Sequence, residues 1–243
     1  MSEAASERSE HPRMRGAQAS APARRRDAAA TREALLTAGA GLFAERGYDG
    51  VPVAAIAQKA GVNKAMINYH FGGKRQLYLA IVSATFTEII ARVEALAESP
   101  RPAPEVLREL IAAVAELATR RHPHFCSMML REVVAGGKHL DLELIEKPAR
   151  VLGAVQRIIA RGVAAGELRP VDPLLTHLSL VGSLVFFFAT ARFRERVLGA
   201  RRPRIAAPTP AAYVAHMQDL LTHGIAADRR DAHGVRRDGR RRG

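Results

Sequence analysis

Apolar positions recur with a helical period along most of the chain. Leu35, Ala38 and Leu42, with Gly39 beside them, stand at i, i+3 and i+7 and predict a first helix over residues 31–46, stopped by Gly47. Pro52 suits the start of a short second helix reaching Ala60, with Ile56 and Ala57 turned inward and Gly61 at its end. Asn63 is the expected N-cap of a third short helix over 64–71, whose Ile67 and Phe71 are core residues spaced i, i+4. Gly72 and Gly73 close it. From Lys74 onward, Leu77, Tyr78, Ile81, Val82, Phe86, Ile89, Ile90, Val93 and Leu96 predict one long amphipathic helix of about six turns. After a proline-rich break at 99–104, further helices are expected over 105–120, 125–135 and about 140–165, with Pro148 at a first-turn or kink position. The last two are 173–196 and 210–222, separated by a Pro-Arg-rich linker at 198–208. No segment alternates with period two and no internal repeat is evident, so the expected fold is all-α, with about nine helices and no sheet.

Within this pattern, residues 53–71 carry the spacing of a helix-turn-helix. Ala57 is small where two helices cross closely. Gly61 follows four residues later, where the turn asks for positive φ, and Ile67 comes six after that to pin the second helix. Spacing alone leaves an ordinary helical hairpin open. The wider stretch, with Leu42-Phe43-Ala44-Glu45-Arg46-Gly47-Tyr48, Ile56-Ala57-Gln58-Lys59-Ala60-Gly61-Val62 and Ile67-Asn68-Tyr69-His70-Phe71-Gly72-Gly73-Lys74, closely resembles the DNA-binding domain of TetR-family transcriptional regulators. The resemblance covers about 50 residues and rests above all on the Tyr-His-Phe-Gly-x-Lys run. It implies an N-terminal three-helix DNA-binding domain joined by a long helix to a C-terminal helical bundle that binds ligand and dimerises.

A recognition helix presents its N-terminal residues to base edges in the major groove. Asn63, Lys64, Ala65 and Met66 therefore form the expected reading end, with Lys64 suited to guanine and Ala65 and Met66 to a thymine methyl. Asn68 has the amide geometry for adenine, or serves a backbone or packing role, since the family more often carries Tyr there. Tyr69 and His70 are expected on phosphates, and Lys74 adds charge at the next helix start. The sequence departs from the family at Pro52, where Thr is usual, and at Ala54 and Ala55, which are often polar. Fewer phosphate contacts from the second helix are the consequence.

Charge adds a polyanionic partner to this picture. Thirty-seven basic residues against 24 acidic ones give a net charge of +13, which suits nucleic acid or an anionic membrane. Six arginines stand against four acids over 1–27, and seven against three over 228–243. Neither terminus has a periodic apolar face, so 1–26 reads as a basic disordered arm, 27–76 as the DNA-binding domain, 77–225 as the ligand-binding and dimerisation domain, and 226–243 as a basic disordered tail. Arg24, Arg25 and Arg26 are candidates for a DNA-contacting arm, with a solubilising role as the alternative. The single Cys126, a polar N-terminus without an apolar core and an apolar maximum of about fourteen residues, against roughly 20 for a membrane span, suggest a cytoplasmic protein with no membrane partner.

Rival chemistries find less support. His122, His124 and Cys126 form an H-x-H-x-C run without a second ligand cluster, and no nucleophile elbow, phosphate loop or dinucleotide fingerprint is present. No metal, cofactor or catalytic residue is expected. Phe125, Met128 and Met129 on one helix, and Phe187 with His177 on another, are core or the lining of an effector pocket; Arg131 and His177 are the polar residues to follow. The expected function is a sequence-specific DNA-binding regulator: a dimeric repressor of a pseudo-palindromic operator, released by an apolar or amphipathic small molecule. A nonspecific architectural DNA binder and a helical enzyme acting on a small molecule are the alternatives.

Overall fold

The computed structural model describes residues 21–201 and 206–226. Ten α-helices make up the described residues: α1 (Ala21–Arg46), α2 (Val53–Ala60), α3 (Ala65–Phe71), α4 (Lys74–Ala97), α5 (Ala103–Glu116), α6 (Phe125–Val134), α7 (Leu142–Ala164), α8 (Pro173–Ala189), α9 (Ala191–Arg201) and α10 (Pro210–Ile225). A π-helical turn, Leu117–Arg121, continues α5. Among the described residues the extended pairing is one isolated bridge, Leu168 with Ala226.

Local chemistry explains most of the helix ends. Asp141, Asp172 and Thr209 accept from the backbone N–H three residues on, at 3.0, 2.8 and 3.1 Å, and so start α7, α8 and α10. Gly47, Gly61 and Gly72 take left-handed φ of 73°, 68° and 78° and stop α1, α2 and α3. The helix α4 buries the whole stripe expected of it and carries the core from the first three helices into the rest of the molecule. Close crossings rest on glycine. A Cβ at Gly39 would come within 3.1 Å of Ile81 Cδ1, and one at Gly162 within 2.5 Å of Ala103 Cβ. No single helix among the described residues is long and apolar enough to cross a membrane.

Two expectations need correction. The first helix begins at Ala21, not Thr31, so Arg24, Arg25 and Arg26 belong to its opening turns and not to a loose arm. Alanine and arginine favour helix by intrinsic propensity, without the apolar stripe that a periodicity search requires. The remaining tail residues, 1–20 and 227–243, lie outside the described residues. The predicted helix over 173–196 is broken at Thr190, where α8 and α9 meet at 61°. There the Thr190 hydroxyl donates to the Phe186 carbonyl at 2.6 Å, while Arg194 Nη1 donates to the Phe187 carbonyl and to Thr190 Oγ1. The Phe186 carbonyl still accepts from Thr190 N–H at 3.1 Å, so the helical ladder runs as far as Thr190, and beyond it the Arg194 guanidinium takes the Phe187 carbonyl that a continuous helix would give to the next backbone N–H.

Candidate nucleic-acid interface

Helices α2 and α3 are clamped to α1 and α4 by a small set of apolar side chains. Ile56, Ala57 and Ile67 are buried among Leu35, Leu42, Phe43 and Leu77. Between the two helices, Val62 N–H reaches the Ala57 carbonyl at 3.0 Å around Gly61, a turn that its left-handed backbone permits. Asn63 Oδ1 accepts from Ala65 N–H at 2.8 Å, so its side chain caps α3.

With Ile67 facing inward, the opposite side of α3 is left to solvent. Asn63, Lys64, Ala65, Asn68 and Tyr69 are exposed, Tyr69 at 75%. His70 is half-buried, edge-on to the Tyr69 ring at 4.9 Å. Met66 is half-buried against the core, so only part of its side chain is free for a base. Lys74 is also engaged: its Nζ lies 4.4 Å from the Tyr48 ring centroid, a cation–π contact that ties the start of α4 to the loop after α1. Phe71, expected in the core, is half-buried beneath the Arg32 guanidinium at 5.1 Å. The second helix presents Pro52 and Ala54 to solvent with no side-chain cap, and keeps Gln58 and Lys59 exposed near its end.

The end of α1 is bound to α6 by polar contacts that sequence reasoning did not find. Arg131 Nε donates to the Ala44 carbonyl at 3.1 Å and its Nη2 to the Glu45 carbonyl at 3.0 Å, satisfying acceptors that the last turn of a helix leaves open. One residue on, Glu132 is buried and accepts from Tyr78 Oη at 2.7 Å, with His139 Nδ1 also at 2.7 Å. His139 Nε2 lies 3.3 Å from Asp49, which Lys138 Nζ contacts at 3.0 Å. Burial, then the hydrogen bond to Glu132, pushes the Tyr78 hydroxyl pKa up, so it stays protonated and can only donate to that carboxylate. The sequence signal for this network is slight, a glutamate next to Arg131 on a mostly apolar helix, and its Tyr78 partner lies 54 residues away.

The expected pocket residues do not converge on one cavity. Met128 and Phe187 are buried in the core, Phe187 stacked on Tyr213 at 3.7 Å. Met129 is half-buried and packed against the core. Phe125 lines a cavity of about 270 Å³, together with Met128 and Ile81. Arg131 lines a larger one, of about 770 Å³, between the end of α1, α6 and the α8–α9 break. His177 is buried on α8 with its Nδ1 unpartnered. In the H-x-H-x-C run, His122 Nε2 contacts Glu88 at 2.9 Å and Cys126 is buried, its thiol pushed up to about 12 by that burial.

Comparison with known proteins agrees with this geometry. Residues 35–81 match the bacterial regulatory proteins, tetR family, and residues 104–220 match a tetracyclin repressor-like C-terminal domain. The HTH-type transcriptional repressor NicS of Pseudomonas putida is 30% identical over 168 residues, covering 67% of this chain and 77% of that protein. The HTH-type transcriptional regulator RutR of Escherichia coli is 29% identical over 177 residues, covering 73% and 82%. The crystal structure of the TetR family regulator PfmR from Thermus thermophilus superposes with a TM-score of 0.62 at 26% identity, covering 78% of this chain and 97% of that one. With its helix-turn-helix clamped on α1 and α4, the N-terminal face of α3 exposed, and both halves matched, the chain belongs to the TetR family and is a DNA-binding transcriptional regulator.

Proposed function

We propose that the protein is a ligand-responsive repressor that binds a pseudo-palindromic operator as a homodimer and acts by binding, not by catalysis. The observation that carries this reading is the exposed N-terminal face of α3, Lys64, Ala65, Asn68 and Tyr69, held outward by buried Ile67. Two such helices reading successive major grooves need a separation of about 34–36 Å, which a dimer supplies. Exposed apolar side chains on α8 and α10, Leu174, Leu175, Leu178, Phe186 and Leu220, offer the surface for a four-helix interface. Leu184, on the same helix α8, is buried within its own protomer and lies outside that surface. Effector binding then acts as a coupling free energy that favours a spacing unmatched to the operator. The repressor name of the NicS relative supports the direction of control, and a cytoplasmic location follows from the DNA partner. Footprinting on genomic DNA tests the reading. A two-fold-symmetric protected site with half-sites one helical turn apart is expected; uniform coverage without preferred sites would favour an architectural binder instead.

A further inference from the structure

The cavity between the end of α1, α6 and the α8–α9 break has chemistry of its own. Its apolar lining comes from Leu130, Val134, Phe188 and Phe193, of which Val134 is 82% exposed and Phe193 68% exposed, so the mouth leaves apolar surface uncovered. Its charged groups are Arg131 and Arg192 against one carboxylate, Glu45, which Arg192 Nη1 approaches at 3.6 Å. His124 also faces in; burial first, then Lys59 and Arg192, lowers its pKa and keeps it neutral, as a site already rich in positive charge requires. A volume of about 770 Å³ falls within the usual range for small-molecule sites, roughly 300–1,000 Å³.

We infer that this cavity is the effector site, and that its ligand is an amphipathic monocarboxylate whose apolar body covers Val134, Phe188 and Phe193 while its carboxylate is held by Arg131 and Arg192. The inference rests on the reading of the protein as a ligand-responsive regulator and names the ligand class and the place. It also supplies the transmission. Arg131 at present donates to two neutral carbonyls at the end of α1, the helix on which α2 and α3 are packed. A carboxylate takes both guanidinium hydrogen bonds in a charge-assisted, bidentate pair and outcompetes the carbonyls. The link from α6 to the reading domain is then released where Arg131 holds Ala44 and Glu45, and the two recognition helices lose their operator spacing.

The test uses the full chain, with the operator obtained by footprinting. Octanoate and phenylbutyrate are titrated calorimetrically, each beside octanol or phenylbutanol, the neutral alcohol of the same skeleton. At least one carboxylate is expected to bind and to weaken operator affinity about tenfold or more, with its alcohol at least about tenfold weaker. Arg192→Met, at an exposed side chain, is expected to weaken carboxylate binding by a similar factor, and Glu45→Gln to tighten it a few-fold by removing the opposing charge. Alcohols binding as well as carboxylates, carboxylate binding indifferent to both substitutions, or no carboxylate binding by a chain that holds its operator would each overturn the inference. A chain that binds a carboxylate with this substitution pattern yet recognises no operator would keep the site and overturn the regulatory reading.

Discussion

Lys64 stands exposed at the first turn of α3, beside an Ala65 too small to shield it and an Asn63 whose side chain is spent on the cap. That leaves the ammonium free for a base edge, and Lys64→Ala is expected to relax preference at one base pair per half-site. The cost is about 1–3 kcal/mol where the contact is bidentate to guanine. Binding to a set of operator variants at fixed salt checks this, and an equal loss on every variant would reassign Lys64 to phosphate. The buried His177 makes a second residue-level prediction. Desolvation lowers its pKa, so the folded chain keeps the ring neutral while the unfolded chain takes up a proton near its ordinary value of about 6.5. Stability from this source is therefore present above about pH 6.5 and lost as pH falls through the folded value. His177→Leu also removes the unpartnered Nδ1, and is expected to flatten the acid limb of Tm against pH without lowering Tm at neutral pH.

At the scale of elements, the crossing of α5 and α7 depends on Gly162. A methyl there would meet Ala103 Cβ at 2.5 Å, an atom fixed directly to the buried start of α5, and Leu168 Cδ1 at 2.6 Å, the end of a buried side chain. Gly162→Ala is expected to destabilise by about 1–3 kcal/mol through overpacking, although alanine is the better helix former. Urea unfolding measures it; an unchanged midpoint would mean that α7 slides to make room. The break between α8 and α9 belongs to the same scale. By turning the chain at Thr190 it brings Phe188, Arg192 and Phe193 to the cavity that Arg131 and Glu45 close from the other side.

For the whole molecule, the exposed apolar face of α8 and α10 predicts a dimer at micromolar concentration by light scattering. Leu178→Glu places a charge in the middle of that face and is expected to yield monomers with weakened operator binding. A monomeric native chain would sink the four-helix interface. Phosphate grip is the second global property. Pro52 and Ala54 leave the start of α2 without a polar group to offer the DNA backbone, whereas Arg24, Arg25 and Arg26 sit on the opening turns of α1. Replacing the three by Gln is expected to flatten log K against log salt by roughly 2–5 units for a dimer, at about 0.9 per phosphate, while the order of preferred sequences survives. An unchanged slope would leave the grip to Lys59, Arg75 and their neighbours.

Local interactions made the reading domain legible in the sequence. The Ala57 contact, the Gly61 turn, the Asn63 cap and the Ile67 anchor all fall within eleven residues, so spacing alone encodes their geometry. The long stripe of α4 was equally plain, because an amphipathic period needs no distant partner to be recognised. Periodicity missed the first ten residues of α1, which are helical by composition, and the Thr190 break, where Arg194 takes the Phe187 carbonyl. Only the tertiary structure decided the junction. Arg131 meets carbonyls 86 and 87 residues back along the chain, Tyr78 meets Glu132 across 54, and the cavity is walled by α1, α6, α8 and α9 at once. Contacts at such separations arise from how helices stack around a shared core, and no local pattern of residues carries that information.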